Sequence, residues 1–336
     1  MKYIRRITVA ALCVLALWQP CASAQTPVVP TPDEVGKALG FTEAEIGRIK
    51  GGEIITKDLK EGSDKELAGV LAVFLDRPVK ELVDLILLGR ELETDKSMLA
   101  FRVWTPDASA DEVFADAGLA ATETAEAKKF ASASPGATLN LSAAEIAQFQ
   151  HVQPEPDAVN VPLRALLKAR YEAYRKSGLK GITPYAREGG KESSPASELT
   201  LALNETKAVA RRQDFFEALL NYPADALPGT EERFYWFKHT VEDRPTFILA
   251  HRTELRGENA ALLTEEQFYV GHSYNSNVIA GGLLEVQGGT LVFYVNRTFT
   301  DQVAGMGSGM KHGIGRGQML SQIAENLQHI RDQLRK

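Results

Sequence analysis

The 336-residue chain has almost no cysteine: Cys13 and Cys21 are its two, and both fall within the first 24 residues. Everything after them is free of thiols, which excludes disulfides, zinc thiolates and a cysteine nucleophile from that part of the chain. Basic charge is short as well, with 38 Lys and Arg against 44 Asp and Glu. The net charge of −6 argues against nucleic acid or an anionic membrane surface as the main partner. No stretch is long and apolar enough to span a membrane, which needs roughly twenty residues. No internal repeat of fixed period is present, which excludes solenoids and propellers. What remains, 44% hydrophobic and 24% charged, is ordinary globular composition and excludes collagen, coiled-coil and wholly disordered readings.

The N-terminus has the three parts of a secretory signal in order: the basic residues Lys2, Arg5 and Arg6, an apolar run from Ile7 to Trp18, and Ala22-Ser23-Ala24 before Gln25. The run is too short for a span, so the expectation is cleavage after Ala24 and a periplasmic or secreted product with no stable membrane insertion. Cys21 lacks the Leu and small residues that lipid-anchor processing wants. Loss of the three cations takes the charge from −6 to −9.

Gln25 to Pro32 is a Pro-rich leader. Thr42 and Glu45 form a capping box that opens a short helix ended by Gly51-Gly52. Glu53–Leu59 and Leu67–Leu75 read as strands, and Asp76-Arg77-Pro78 starts a helix with Val79, Leu82, Val83 and Ile86 on one face. Met98–Trp104 resumes as a strand. From Thr105 to about residue 232 the pattern is mainly helical, with a second capping box at Ser142 and Glu145 and a helix from Pro162 to Lys176 that carries Leu163, Leu166, Leu167, Tyr171 and Tyr174. Residues 186–198 read as a polar loop.

The last third, from 233, holds five strand-like runs: 234–240, 246–255, 266–275, 278–286 and 290–300. Their short connections permit only antiparallel neighbours. Leu320, Ile323, Leu327, Ile330 and Leu334 then form the stripe of a closing helix. This predicts an α+β fold, a curved antiparallel sheet packed on a long C-terminal helix. The sheet domain comprises residues 25–104 and 233–336, with 105–232 as an insertion.

This order of elements, with the run from Leu67 through Pro78 to Ile86, resembles the helix-grip or START-like superfamily. The stretch from His251 to Arg316 is similar to a block of secreted bacterial proteins of no assigned function. The resemblance implies a gap between the sheet and the closing helix that holds an apolar or amphipathic small molecule. It brings no catalytic motif, and the insertion departs from a minimal domain of that kind.

Three constellations carry possible chemistry. Period-two alternation puts Phe247, Leu249, His251 and Thr253 on one face of a strand, and Phe268, Val270, His272 and Tyr274 on one face of the next. Two imidazoles on a common face would serve a proton shuttle, a metal or a ligand's polar head, or each would be an interfacial histidine bonded to a carbonyl or acid. Near in sequence the metal reading finds only His239 or Glu254 as a third ligand, the latter on the opposite face, so no metal is expected. Arg297, leaving an apolar strand, would grip a ligand anion bidentately or lie in a buried pair with Asp301 or a glutamate. Gly305, Gly309, Gly313 and Gly317 recur every four residues; a close-packed helix ridge is favoured over a Gly-rich anion loop with Lys311, His312 and Arg316.

Two motifs are set aside. Gly271-His272-Ser273-Tyr274-Asn275 ends in Asn where a nucleophile elbow needs Gly, and it lies between antiparallel strands. No pair of acids stands out as a glycosidase dyad. The leading functional expectation is a binding protein that needs no cofactor, with Tyr269, Tyr274, Phe293 or Tyr294 against the ligand's body and Arg297, Asn296 or a histidine at its polar end. The alternatives are an enzyme using His251 and His272 as acid and base, and an envelope scaffold with no ligand.

Overall fold

The computed structural model describes residues 31–334 apart from 211, 225–226 and 306–307. The signal segment expected at residues 1–24 lies outside the described residues, as does the side chain of Ile330.

The chain opens with two short helices, α1 (Pro32–Ala38) and α2 (Glu43–Lys50). Each starts at a capping box, Thr31 with Glu34 and Thr42 with Glu45. In each, the hydroxyl and the carboxylate satisfy two backbone amides that lack helical partners. Strands β1 (Ile55–Asp58) and β2 (Glu66–Leu75) follow, then α3 (Val79–Leu87) and β3 (Met98–Trp104). The insertion contains α4 (Ala110–Phe114), α5 (Thr124–Ala131), α6 (Ala143–Phe149), α7 (Pro156–Ser177), the tiny pair β4 (Tyr185–Ala186) and β5 (Glu192–Ser193), α8 (Pro195–Val209) and α9 (Gln213–Leu220). The chain ends with β6 (Thr230–Val241), β7 (Arg244–Arg256), β8 (Ala260–Val270), β9 (Ser276–Val286), β10 (Gly289–Phe299) and α10 (Ser308–Leu334).

The fold is α+β. Eight strands form one sheet in the order β1-β2-β10-β9-β8-β7-β6-β3, with antiparallel neighbours throughout. The early strands β2 and β3 therefore bracket the meander β6 to β10, and β3 pairs directly with β6 across the base of the insertion, Trp104 opposite Phe234. The β6–β7 turn is only Glu242 and Asp243, both with positive φ, the left-handed pair that matches the twist of a two-residue hairpin.

Helices cover both faces. Toward the insertion, the sheet residues Val70, Leu249, Phe268, Phe234, Trp236 and Phe293 join Phe41, Ile46, Phe149, Leu163, Tyr171 and Phe215 in the largest core cluster. On the opposite face, Leu71, Val73, Leu263, Leu283 and Val292 pack with α3 residues Leu82 and Val83 and with Ile323, Ala324 and Leu327 of α10. Leu320 of α10 sits over Gly69, where an added Cβ would stand 2.6 Å from its Cδ2.

Several local expectations change. Helix α7 starts at Pro156 and contains Pro162, because Pro156 already supplies the fixed φ of a first helical position. Residues 186–198 are not all loop: Ser194 caps α8 through Ser197 N, and Pro195 opens the helix. Strand β8 runs from Ala260 to Val270, about five residues earlier than its pattern suggested. The glycine ridge also departs from close packing. A Cβ at Gly309, Gly313 or Gly317 would meet nothing within 4 Å, and Gly305 precedes the helix; Gly315 alone abuts the sheet side, 3.1 Å from Leu67 Cδ1. Nor does an anion loop form there, since His312 bonds to Glu61 and Arg316 to Glu61 and Asp58.

Candidate functional site

His251 lies on the insertion face of β7, with Phe234 of β6 and Glu266 of β8 opposite it in register. It is 1% exposed. Phe234 stacks on its ring at 4.5 Å, and Tyr222 lies at 4.7 Å. Nε2 is 2.8 Å from Glu232 Oε2 and Nδ1 is 3.0 Å from the Tyr174 hydroxyl. Burial, the largest single effect, pushes the Glu232 carboxyl up, but the hydrogen bond from His251 and nearby positive charge, that of Arg175 included, together hold the group below its ordinary value. An ionised Glu232 only accepts, so Nε2 carries the proton and Nδ1 accepts from Tyr174.

Glu266 completes the cluster, with Oε2 at 3.5 Å from Nδ1. Burial pushes this carboxyl up to about 8, so it is largely protonated at neutral pH. Burial also lowers His251 from its usual value and raises Tyr174 well above its own. At neutral pH the cluster therefore holds one negative charge, at Glu232, whose side chain is 35% exposed. Two carboxyls with opposite pKa shifts flanking one imidazole can store and pass a proton. The ring itself is enclosed, so it does not present a nitrogen to a substrate.

His272 is elsewhere. Its Nε2 accepts from Thr246 Oγ1 at 2.6 Å, and its Nδ1 meets Ser273 Oγ at 2.7 Å. Burial pushes it down to about 4, aided by the Arg244 charge. The expected shared face fails at a β-bulge: Leu249 pairs with Tyr269 and Ala250 with Gln267, leaving Phe268 as the extra residue. Phe268 and Tyr269 both join the core on the insertion side, while Val270 turns to the other face. The alternation that joined Phe268, Val270 and His272 is thus broken.

The predicted ligand residues also divide between the faces. Arg297 Nη1 donates to Glu66 Oε1 at 2.6 Å, and both side chains are buried. This is the buried-pair arrangement, with Glu66 as partner; Asp301 instead takes Arg187, Lys65 and Ser193. Phe293 packs near Phe41, and Tyr269 lies 4.6 Å from the Arg170 guanidinium. These three serve the insertion-side core.

Tyr274, Tyr294 and Asn296 belong to the opposite face: Tyr294 packs with the α3 and α10 cluster, Asn296 meets Met319 of α10, and Tyr274 packs beside Tyr235, Phe237 and Val270. In register there, Glu265 lies beside Ile279 and Asn296, and Gln267 beside Asn277 and Thr298. Tyr274 donates to Gln267 Oε1 at 2.7 Å, Gln267 donates to Glu265 Oε1 at 2.7 Å, and Arg252 Nε bonds the other Glu265 oxygen. The same period-two rows continue through Ala261, Leu263, Leu283 and Val292, which are apolar. The floor under the closing helix is therefore polar at one end and apolar at the other. At its middle, a Cβ on Gly281 would meet Leu263, at 3.7 Å, and among the described residues no atom of α3 or α10 within 4 Å.

Gln267, Asn277, Thr298 and Met319 were not among the sequence candidates, nor were Glu232, Glu266 and Tyr174. Polar residues occupying the core phase of otherwise apolar strands were the available signal for the first three. Two surface clefts lie apart from all of these: one of about 280 Å³ between α3 and Leu334, and one of about 570 Å³ around Arg77 and Gly289. Among the described residues no group of three or more potential ligands could hold a metal ion, and no helix is long and apolar enough to cross a membrane. Comparison with known proteins adds no relative, since no family model, curated protein or solved structure matches the chain.

Proposed function

We propose that this is an exported protein that binds an amphipathic small molecule between the sheet and α10. The observation that carries the reading is the graded floor on that face. Glu265, Gln267, Asn277, Asn296 and Thr298 lie at one end, Ala261, Leu263, Leu283 and Val292 at the other, and among the described residues no helix atom comes within 4 Å of a Cβ at Gly281. A ligand site of this kind is mostly apolar, with a few placed polar groups that fix orientation. The order of elements and the placement of α3 and α10 on one face support the helix-grip resemblance. The signal-shaped terminus supports export, with cleavage after Ala24.

Acid–base catalysis by His251 and His272 has less support. The two rings share no hydrogen-bond partner among those described, and both His251 nitrogens are engaged within the core.

Native mass spectrometry of protein isolated from its own cells is expected to show a chain starting at Gln25 with one retained small molecule, absent from the Gly281→Leu variant. A bare chain that also takes up no added medium-chain amphiphile rejects the reading and leaves a ligand-free scaffold.

A further inference from the structure

Asn296 is 3% exposed, and one of its two amide protons is poorly matched. It lies 2.9 Å from Thr298 Oγ1 and 2.8 Å from the sulfur of Met319 on α10. Thr298 Oγ1 is itself 3.5 Å from that sulfur, while also 3.1 Å from Asn277 Oδ1. A thioether is a weak acceptor, so the second buried amide proton of Asn296 points at an atom that rewards it poorly, while the single Thr298 hydroxyl proton goes to Asn277 Oδ1. Methionine is also the side chain best able to leave: it is unbranched, with three rotatable bonds, and refills irregular space at low cost.

The sulfur sits where the polar end of the floor meets the closing helix. The cation of this row, Arg252, is already bonded to Glu265. One neutral N–H donor meets the sulfur, without a cation to match an anionic head. A donor-only ammonium would face that N–H and leave it unpaired.

Resting on the ligand-binding reading above, we infer that the Met319 sulfur holds the place of an uncharged carbonyl oxygen. The ligand is thus a ketone, ester or amide with an apolar body, and Met319 is a plug that it displaces. The oxygen would accept from Asn296 Nδ2, and the body would run over Gly281 toward Leu263, Leu283 and Val292. Removing the plug removes a cost of binding, so Met319→Ala should bind about tenfold more tightly, and Asn296→Ala about tenfold less.

The test uses the full mature chain with ¹³C-methyl methionine and ¹⁵N labels, titrated separately with 2-octanone, octanoate and octylammonium. Of the five methionines in the sequence, Met1 leaves with the signal segment and four remain in the mature chain, so the Met319 methyl is assignable by substitution. The expected result is that 2-octanone moves both the Met319 methyl and the Asn296 side-chain amide, with octanoate weaker and octylammonium weakest. If 2-octanone binds without moving either resonance, or octylammonium moves them equally well, the carbonyl assignment falls while ligand binding stands. If none of the three binds wild type or Met319→Ala, the binding reading falls and the assignment with it. Because the wild-type titration decides the matter, poor folding of Asn296→Ala would not shield the inference.

Discussion

The hydroxyl of Tyr174 meets His251 Nδ1 at 3.0 Å, joining the long helix of the insertion to the middle of the sheet. The same tyrosine ring stacks on Phe268 at 4.1 Å, nearly parallel. One side chain thus supplies both apolar packing and the donor that fixes the imidazole's tautomer. Tyr174→Phe keeps the stack and deletes the donor, leaving a buried acceptor unsatisfied. It is expected to cost about 1–3 kcal/mol, measured by urea denaturation at pH 7.

The pH dependence of stability separates the buried histidines from the buried carboxyl. His251 and His272 have lowered folded-state values, the latter to about 4. The unfolded state then binds the extra proton, and their contribution is complete above about 6.5 and lost as pH falls. Glu266, raised to about 8, acts in the opposite sense: its contribution is complete below about 4.5 and lost as pH rises toward 8. Glu266→Gln should therefore flatten the decline between pH 6.5 and 8, and His272→Gln should flatten the rise between pH 4.5 and 6.5. Denaturation midpoints across this range check both; unchanged profiles would contradict the assigned burial effects.

The closing helix offers a contrast between glycines. Gly313→Ala adds a methyl in open space and should stabilise by about 1 kcal/mol through helix propensity. Gly69→Ala drives a Cβ against Leu320 and should destabilise by about 1–3 kcal/mol. Leu320→Ala should cost about 2–5 kcal/mol, and Leu327→Ala less because Leu327 is only half-buried. Thermal melts of the four variants test how α10 lies on β2.

Arg297 and Glu66 form a buried pair, so removing one partner leaves the other's charge uncompensated. Arg297→Met is expected to cost about 3–5 kcal/mol. Adding Glu66→Leu should recover much of that loss, since an apolar pair of similar volume fills the same space. If both variants bound 2-octanone as wild type does, the pair would be confirmed as structural and separate from the ligand floor.

Much of this protein's local structure was determined by its sequence. Thr42 with Glu45 and Ser142 with Glu145 start helices where their capping boxes stand, because those bonds close within one turn. The stripe containing Leu320 and Ile323, the run from Leu67 to Leu75 and the turn at Glu242-Asp243 are likewise local patterns with local causes. The short loops between the last five strands also fixed their antiparallel sense.

Tertiary structure alone decided which residues meet. Tyr174 and His251 are 77 positions apart, and Arg297 and Glu66 are 231 apart, so no sequence spacing announces either pair. The bulge at Phe268 exists only against its partner strand and breaks the alternation that joined Phe268, Val270 and His272, while the register sets His272 beside Thr246, five positions along β7 from His251. Glycine spacing gave a helix ridge, but the side of α10 that faces the sheet was chosen by where Leu320, Ile323 and Leu327 could be buried. The two faces of the sheet, nearly indistinguishable in their alternating apolar pattern, became different surfaces once the insertion covered one and α3 with α10 covered the other. That separation sent Phe293 to the core with Phe41 and Tyr294 to the floor beneath α10, because adjacent residues of a strand point to opposite faces.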